Sequence, residues 1–167
     1  MEIISRSLTE TAVFASEVLA NLVKKDRQNK SATVVDLTGD LGSGKTTFTQ
    51  AAARALGIRA PVQSPTFVIM KTYAIPKKWQ GSPLTFGKGD PWVWPWRRLV
   101  HIDCYRLDKA DDLFHLDWNE LVTDPENLIL VEWPERVGDL LSSPTLKIKF
   151  EVIGETARKI IYGENRK

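Results

Sequence analysis

The feature that most constrains the fold of this chain is a glycine-rich segment at residues 39–46, GDLGSGKT, which matches the P-loop pattern G-x-x-x-x-G-K-[ST] at every fixed position. Glycines allow the backbone to curl so that successive N–H groups point at a phosphate chain. The segment follows an apolar, β-branched run at residues 32–37 and opens a helix-like stretch at residues 46–56. This strand–loop–helix order puts a helix N-terminus beneath the phosphates. The sequence therefore predicts a nucleoside triphosphate site in which Lys45 reaches the β- and γ-phosphates and the Thr46 hydroxyl binds Mg²⁺.

The length and composition of the chain are typical of one soluble globular domain. It has 167 residues, of which 43% are hydrophobic and 26% charged, and that is enough to bury a core. A formal net charge of +2 is too small to argue for nucleic-acid binding by electrostatics alone. The single cysteine, Cys104, excludes an internal disulfide. Because the N-terminus lacks the pattern of a signal peptide and no apolar run could span a bilayer, we expect a cytoplasmic protein with no membrane contact.

Strand-like and helix-like segments interleave along the chain. Strands are predicted at residues 2–5, 32–37, 64–75 (beginning as a turn), 99–105, 128–131, 146–153 and 157–162. Helices are predicted at residues 9–23 with Thr9 as the N-cap, and at 46–56, 111–121 and 134–141. The resulting fold class is α/β: a single P-loop NTPase-like domain over residues 1–167, with a mostly parallel central sheet, antiparallel hairpins and helices on both faces.

Residues 76–98 form a tryptophan- and proline-rich insertion loop between two predicted strands. It contains Trp79, Trp92, Trp94 and Trp96, and the last three alternate with other residues. Alternation places them on one face of an extended segment, which favours a hydrophobic flap folded over its own sheet. The alternative is an exposed docking surface for a partner or a second copy of the chain, because tryptophan is enriched in interface hot spots.

Two acidic residues end predicted strands and are candidates to complete the phosphate site. Asp103 follows residues 99–102, and Glu132 follows the buried run at 128–131. Ligands of open α/β sheets collect at the C-terminal ends of the strands. One carboxylate could bind Mg²⁺ while the other orients the attacking water, and spacing alone does not say which does which. His101, on the same side of its strand as Asp103, is interpreted as a structural histidine.

Four segments together resemble one known family. They are GDLGSGKTTF at residues 39–48, SPTF at 64–67, HIDCYRL at 101–107 and VEW at 131–133. In order and spacing they are similar to the TsaE (YjeE) family, the P-loop ATPases of bacterial tRNA threonylcarbamoyladenosine biosynthesis. The resemblance implies an Mg²⁺-dependent ATPase, weak alone, that acts with the TsaB–TsaD complex. That complex modifies tRNAs that read ANN codons, so contact with tRNA would be indirect.

The resemblance also implies roles for single residues. Lys45, Asp103 and Glu132 would be catalytic, Thr46 and Glu132 would bind Mg²⁺, and residues 64–66 would form a switch-like loop. The expected nucleotide contacts are Leu8, Thr11, Leu41, Gly42, Ser43, Gly44, Lys45, Thr46, Thr47, Trp133 and Gly154. The chain departs from the family in two places: the loop after Ile75 is longer, and residues 111–117 lack the family's usual glycine.

Three other functions compete with this interpretation. A small-molecule kinase would need an arginine-bearing lid, for which Lys77, Lys78, Arg97 and Arg98 flank the insertion. A regulatory GTPase is disfavoured because no Asn-Lys-x-Asp segment is present to bind guanine. A nucleotide-binding module without hydrolysis would make the two strand-end carboxylates incidental.

Overall fold

The computed structural model describes residues 1–25, 30–77, 94–107, 111–114, 116–138 and 144–164. Its strands are β1 (Glu2–Ser5), β2 (Thr33–Thr38), β3 (Met70–Ala74), β4 (Arg98–Asp103), β5 (Asn127–Glu132), β6 (Leu146–Val152) and β7 (Arg158–Glu164). Its helices are α1 (Leu8–Lys25), α2 (Lys45–Ala55), α3 (Asp111–Phe114) and α4 (Trp118–Thr123), with a 3₁₀ turn at Pro134–Arg136. Among these residues, no helix is both long enough and apolar enough to cross a membrane.

The strands form one mixed sheet in the order β1-β7-β6-β2-β5-β4-β3. The four central strands, β6, β2, β5 and β4, are parallel to one another. At the edges β3 pairs antiparallel with β4, and β7 pairs antiparallel with both β6 and β1. The predicted α/β fold, with a mostly parallel centre and antiparallel hairpins, is confirmed. The parallel register sets Asp103 directly opposite Glu132, so both carboxylates lie at the C-terminal ends of neighbouring strands.

The buried side chains form two clusters, one on each face of the sheet. Leu130 of β5 lies in the cluster that contains Val18 of α1 and Phe48 of α2. Its neighbour Val131 lies in the other cluster, with Trp118 of α4. Successive side chains of a strand point to opposite faces, so α1 and α2 cover one face and α3 and α4 the other. The continuous apolar run of β5 is therefore explained by burial on both sides, as in other parallel sheets.

The start of α1 differs from the prediction. Ser7, and not Thr9, caps the helix: its Oγ accepts a hydrogen bond from the Glu10 N–H at 3.1 Å. Glu10 reaches back in turn, and its carboxylate accepts from the Arg6 N–H at 2.7 Å. Residues 6–10 thus form a variant of the S-x-x-E capping box, in which the glutamate accepts from the residue before the cap and not from the cap itself. Thr9 is wrong as the cap because it lies inside the first turn.

The predicted helix at residues 111–121 is also wrong as one continuous element. The structure has two short helices there, α3 and α4, separated by a turn in which the Leu116 N–H donates to the Leu113 carbonyl. Asp117 has a left-handed backbone with φ 54°, which a continuing α-helix does not allow. The segment predicted at residues 64–75, a turn running into a strand, has its turn before Met70 and its strand from Met70 to Ala74. Of the helix predicted at 134–141, the first residues form the 3₁₀ turn, and residues 139–141 lie outside the described part.

Two tryptophans of the insertion belong to the core. Trp94 and Trp96 are 1% and 0% exposed, and their rings stack with centroids 6.1 Å apart. Trp96 also donates from Nε1 to the Thr33 hydroxyl at 2.9 Å. These two side chains behave as the hydrophobic flap predicted for them, and are not available for docking or self-association. Trp79 and Trp92 lie outside the described residues, and the division into one domain with an insertion at 76–98 stays a prediction.

Candidate nucleotide-binding site

The P-loop joins the end of β2 to the start of α2 at the centre of the sheet. Two of its glycines are required by geometry. A side chain on Gly39 would place Cβ 2.3 Å from the carbonyl oxygen of Phe150, and φ there is +133°. Gly44 caps α2 with φ 110°, a left-handed conformation, and its carbonyl accepts from the Phe48 N–H at 2.9 Å. The loop therefore lies against β6 and delivers the N-terminus of an 11-residue helix to the site.

Lys45 is drawn inward, against the loop. Its Nζ donates to the carbonyls of Gly39 and Asp40 at 2.6 and 2.9 Å, and it lies 3.9 Å from the centre of the Trp133 ring. Burial lowers the pKa of Lys45 from its ordinary value, and nearby carboxylates, Glu132 first, oppose that shift. Backbone carbonyls and an aromatic face thus hold the ammonium at the place where a phosphate chain would offer it stronger anionic partners.

Thr46 and Glu132 form the part of the site suited to a metal. The Thr46 hydroxyl donates to Glu132 Oε2 at 2.9 Å, and the Glu132 residue is only 2% exposed. A hydroxyl and a carboxylate are the hard oxygen donors that Mg²⁺ prefers, and Mg²⁺ in such sites takes its other ligands from phosphates and water. In the described part of the chain, no group of three or more His, Cys, Asp or Glu side chains could hold a metal by itself. The donor set therefore fits a nucleotide-bound Mg²⁺.

Asp103 holds the turn at residues 64–69, which contains the predicted switch-like residues 64–66 and which we call the switch loop after that prediction. Its Oδ2 accepts hydrogen bonds from the hydroxyls of Ser64 at 2.6 Å and Thr66 at 2.5 Å. Its Oδ1 accepts from the Tyr105 N–H at 3.0 Å. The Asp103 N–H also donates to the carbonyl of Ile69 at 2.9 Å. Both oxygens are thus engaged, and the loop is tied to the strand that ends beside Glu132.

A cavity of about 690 Å³ opens over the P-loop. All the predicted site residues but one line it, namely Leu8, Thr11, Leu41, Gly42, Ser43, Gly44, Lys45, Thr46, Thr47, Asp103, Glu132 and Trp133. Gly154 is not among the lining residues. Its carbonyl accepts from Arg158 Nη1 at 3.0 Å, at the turn between β6 and β7. The structure therefore brings P-loop, strand-end and α1 residues together, while their individual roles stay predictions.

Two residues that contact this site were not among its predicted members. Arg158 lines the cavity, and its guanidinium donates to the carbonyl of Gly42 at 3.2 Å, which ties the β6–β7 turn to the P-loop. No sequence signal singled it out. His101 is fully buried and lies 2.8 Å from Glu132 Oε1. The predicted structural role of His101 agrees with this burial and contact, and its position two residues before Asp103 on the same strand face is the one sequence signal that points to the site.

The family model described as "Threonylcarbamoyl adenosine biosynthesis protein TsaE" matches residues 5–160. The chain belongs to the TsaE family. It is 33% identical over 133 residues to the tRNA threonylcarbamoyladenosine biosynthesis protein TsaE of Streptomyces coelicolor, covering 78% of this chain and 77% of that protein. It is 31% identical over 160 residues to the TsaE of Treponema pallidum, covering 96% of this chain and 98% of that protein.

The fold of this TsaE-family chain also has a solved relative. The crystal structure of Bacillus subtilis YdiB superposes with a TM-score of 0.58 at 28% identity, covering 96% of this chain and 82% of that chain. The resemblance predicted from the four sequence segments is confirmed. Membership of this P-loop family supports nucleotide binding of the ATPase type and a role in tRNA modification.

Proposed function

We propose that this protein is an Mg²⁺-dependent ATPase of tRNA threonylcarbamoyladenosine formation, slow alone and functional with the TsaB–TsaD complex. The observation that carries the proposal is the set of contacts among the P-loop, Glu132 and Asp103 at the C-terminal ends of β4 and β5. Glu132 faces the Thr46 hydroxyl of the P-loop, and Asp103 directly beside it fastens the switch loop. A P-loop, a carboxylate for the metal and a loop that senses the phosphates are the parts that nucleotide switches need.

Each part has a distinct chemical task in this proposal. The P-loop amides and the α2 N-terminus bind the phosphates, and Lys45 leaves the carbonyls of Gly39 and Asp40 to neutralise them. Thr46 and Glu132 would hold Mg²⁺, which supplies charge neutralisation on the phosphate oxygens when bound. Arrival of the phosphates would compete with Asp103 for the switch-loop hydroxyls, so that nucleotide state is translated into loop position.

The two arginines considered for a kinase lid pair with residues at the start of β5 and just before it. Arg98 begins β4 and is paired with Asp124 and Asn127, and Arg97 lies 3.8 Å from Glu126. Arg98 is at the opposite end of β4 from Asp103, five residues or roughly 17 Å away at the rise of a β-strand, and Arg97 precedes it. Lys78 lies outside the described residues. These arginines are thus engaged far from the phosphates, which favours the ATPase.

The test is ATP turnover of the purified protein, alone and with TsaB–TsaD. We expect slow hydrolysis that requires Mg²⁺, increases with the partner complex, and is abolished by Lys45→Ala. The exposed Lys24 of α1 offers a matched control, because Lys24→Ala removes one lysine away from the site. Phosphate transfer to a small metabolite, with no response to TsaB–TsaD, would instead establish a kinase.

The proposed partnership is tested separately. We expect TsaB–TsaD to retain the protein in a pull-down whose yield depends on whether ATP or ADP is supplied, with tRNA joining only through the complex. Such an assembly would work in the cytoplasm, where tRNA is modified. If the complex retained the protein equally with ATP, with ADP and without nucleotide, the proposal that nucleotide controls the partnership would be contradicted.

A further inference from the structure

His101 is a buried polar side chain whose one hydrogen bond in the described structure is to the proposed metal ligand. It lies in the middle of β4 and is 0% exposed. Its Nε2 is 2.8 Å from Glu132 Oε1, while its Nδ1 is buried without a hydrogen-bond partner among the described residues. Burying an imidazole with one nitrogen unpaired is unfavourable compared with burying leucine. Packing alone therefore does not explain a histidine at this position.

The strand register explains how the contact arises. In the parallel pair β4–β5, His101 lies opposite Leu130 and Asp103 lies opposite Glu132. His101 and Glu132 are on the same face, so the imidazole reaches diagonally toward the carboxylate. A carboxylate only accepts hydrogen bonds, so Nε2 carries the hydrogen and donates it to Oε1. The other oxygen, Oε2, accepts a hydrogen bond from the Thr46 hydroxyl at 2.9 Å.

We infer that His101 is a positioning residue that fixes the rotation of the Glu132 carboxylate, so that Oε2 faces Thr46 and the metal. A glutamate has freely rotating terminal bonds, and one hydrogen bond from a rigid ring removes most of that freedom. Partners that orient metal ligands typically change metal affinity by about 10- to 100-fold when they are removed. This inference rests on the proposed function, because it assigns Glu132 to the metal.

The experiment measures metal affinity directly, not turnover. Mn²⁺ replaces Mg²⁺, and free Mn²⁺ is followed by electron paramagnetic resonance while it is titrated into the protein saturated with a non-hydrolysable ATP analogue. His101→Leu removes the donor and keeps an apolar side chain. His101→Gln and His101→Asn each keep an amide donor. The amide nitrogen of glutamine lies near the position of histidine Nε2, and that of asparagine lies near the position of histidine Nδ1. Binding of the analogue in EDTA reports the nucleotide site without metal.

Two further variants calibrate the result. Glu132→Gln measures the full loss expected when the carboxylate itself is removed. Val100→Ala is the matched control for stability, because Val100 is the neighbouring buried residue of β4 and faces the other cluster. Thermal denaturation of every variant shows which changes in affinity follow merely from a weaker fold.

We expect His101→Leu to weaken Mn²⁺ binding at least about 10-fold, with analogue binding in EDTA unchanged, and Val100→Ala to leave Mn²⁺ binding as in the wild type. We expect His101→Gln to recover most of the affinity and His101→Asn to recover little. If His101→Leu does not fold, the Gln and Asn variants decide, and equal Mn²⁺ affinity in both overturns the inference. Wild-type affinity in His101→Leu, with a large loss in Glu132→Gln, overturns the inference and leaves the proposed function standing. No loss in Glu132→Gln overturns both.

Discussion

Asp36 is a carboxylate buried inside the sheet, and its replacement should make the protein more stable. It lies in the middle of β2 and is 5% exposed. Like Val34, it faces the side of the sheet that α3 and α4 cover. Its Oδ1 is buried without a hydrogen-bond partner in the described part of the chain. Burial raises the pKa of Asp36 from 3.8 to about 7, with Lys147 opposing the shift and Glu135 adding to it. The folded state therefore holds the proton of this carboxyl more tightly than the unfolded chain does.

The sign and size of the effect follow from that pKa difference. For an acid whose pKa is raised on folding, the favourable contribution is complete below pH 3.8 and is lost as the pH rises to about 7. A difference of roughly three pKa units corresponds to about 4 kcal/mol over the whole range. Between pH 5 and pH 8 the loss is about 3 kcal/mol, because part of it has already occurred at pH 5. Asp36→Asn should remove this loss, since the amide does not ionise.

The assay is urea unfolding at several pH values, followed by the fluorescence of the buried tryptophans. We expect the free energy of unfolding of Asp36→Asn to exceed that of the wild type by an amount that grows by about 3 kcal/mol from pH 5 to pH 8. Val34→Ala is the control: it weakens the same face without removing a charge, so its difference from the wild type should not change with pH. Parallel curves for Asp36→Asn and the wild type would refute the reasoning.

Three other predictions concern the P-loop, the core and the switch loop. Gly39→Ala should unfold the protein or abolish nucleotide binding, because the new Cβ would lie 2.3 Å from the Phe150 carbonyl oxygen. Gly42→Ala should do less damage, because no atom of the described residues beyond its chain neighbours lies within 4 Å of its new Cβ and only the φ of +74° is strained. Denaturation and nucleotide titration compare the two variants, and equal damage would contradict the steric argument. Trp96→Phe should lower the free energy of unfolding by about 2 kcal/mol, because it loses the hydrogen bond to Thr33 and part of the buried side-chain volume. A double-mutant cycle with Thr33→Val measures the interaction energy between the two side chains, which should be at least about 0.5 kcal/mol. Thr66→Val should release one of the Asp103 hydrogen bonds and increase amide hydrogen exchange in residues 64–69, and protection equal to the wild type would show that Ser64 alone holds the loop.

The parts of this protein that could be predicted from sequence are those whose conformation is decided locally. The P-loop is one such part, since its glycines and its Lys45-Thr46 pair encode a backbone path and a ligand together. β5 is another, because a continuous apolar run of strand length indicates a strand that is buried on both faces of its sheet. The helix at residues 111–121 failed because Asp117 adopts a left-handed backbone that apolar periodicity does not reveal.

The candidate site was only half predictable, because its decisive contacts depend on which strands are neighbours. Both carboxylates were found as strand ends, but nothing in the sequence says that β4 lies beside β5 in a register that pairs Asp103 with Glu132. The same register brings His101 to Glu132. Although His101 lies two residues before Asp103, its hydrogen-bond partner in the described part of the chain is 31 positions away, and local spacing does not reveal that contact. Hence the motif residues could be identified from sequence, while the contact between His101 and Glu132 could not.

Strained backbone conformations occur beside the candidate site. In the described ranges, the non-glycine residues with positive φ are Ile69, Asp117 and Trp133, at 65°, 54° and 59°. Such a conformation costs about 1–3 kcal/mol, and most for a β-branched residue such as Ile69. Ile69 closes the switch loop and its carbonyl receives the Asp103 N–H, while Trp133 follows Glu132 directly and covers Lys45. Two of the three strained positions therefore directly adjoin residues that line the cavity over the P-loop, namely Asp103 and Glu132.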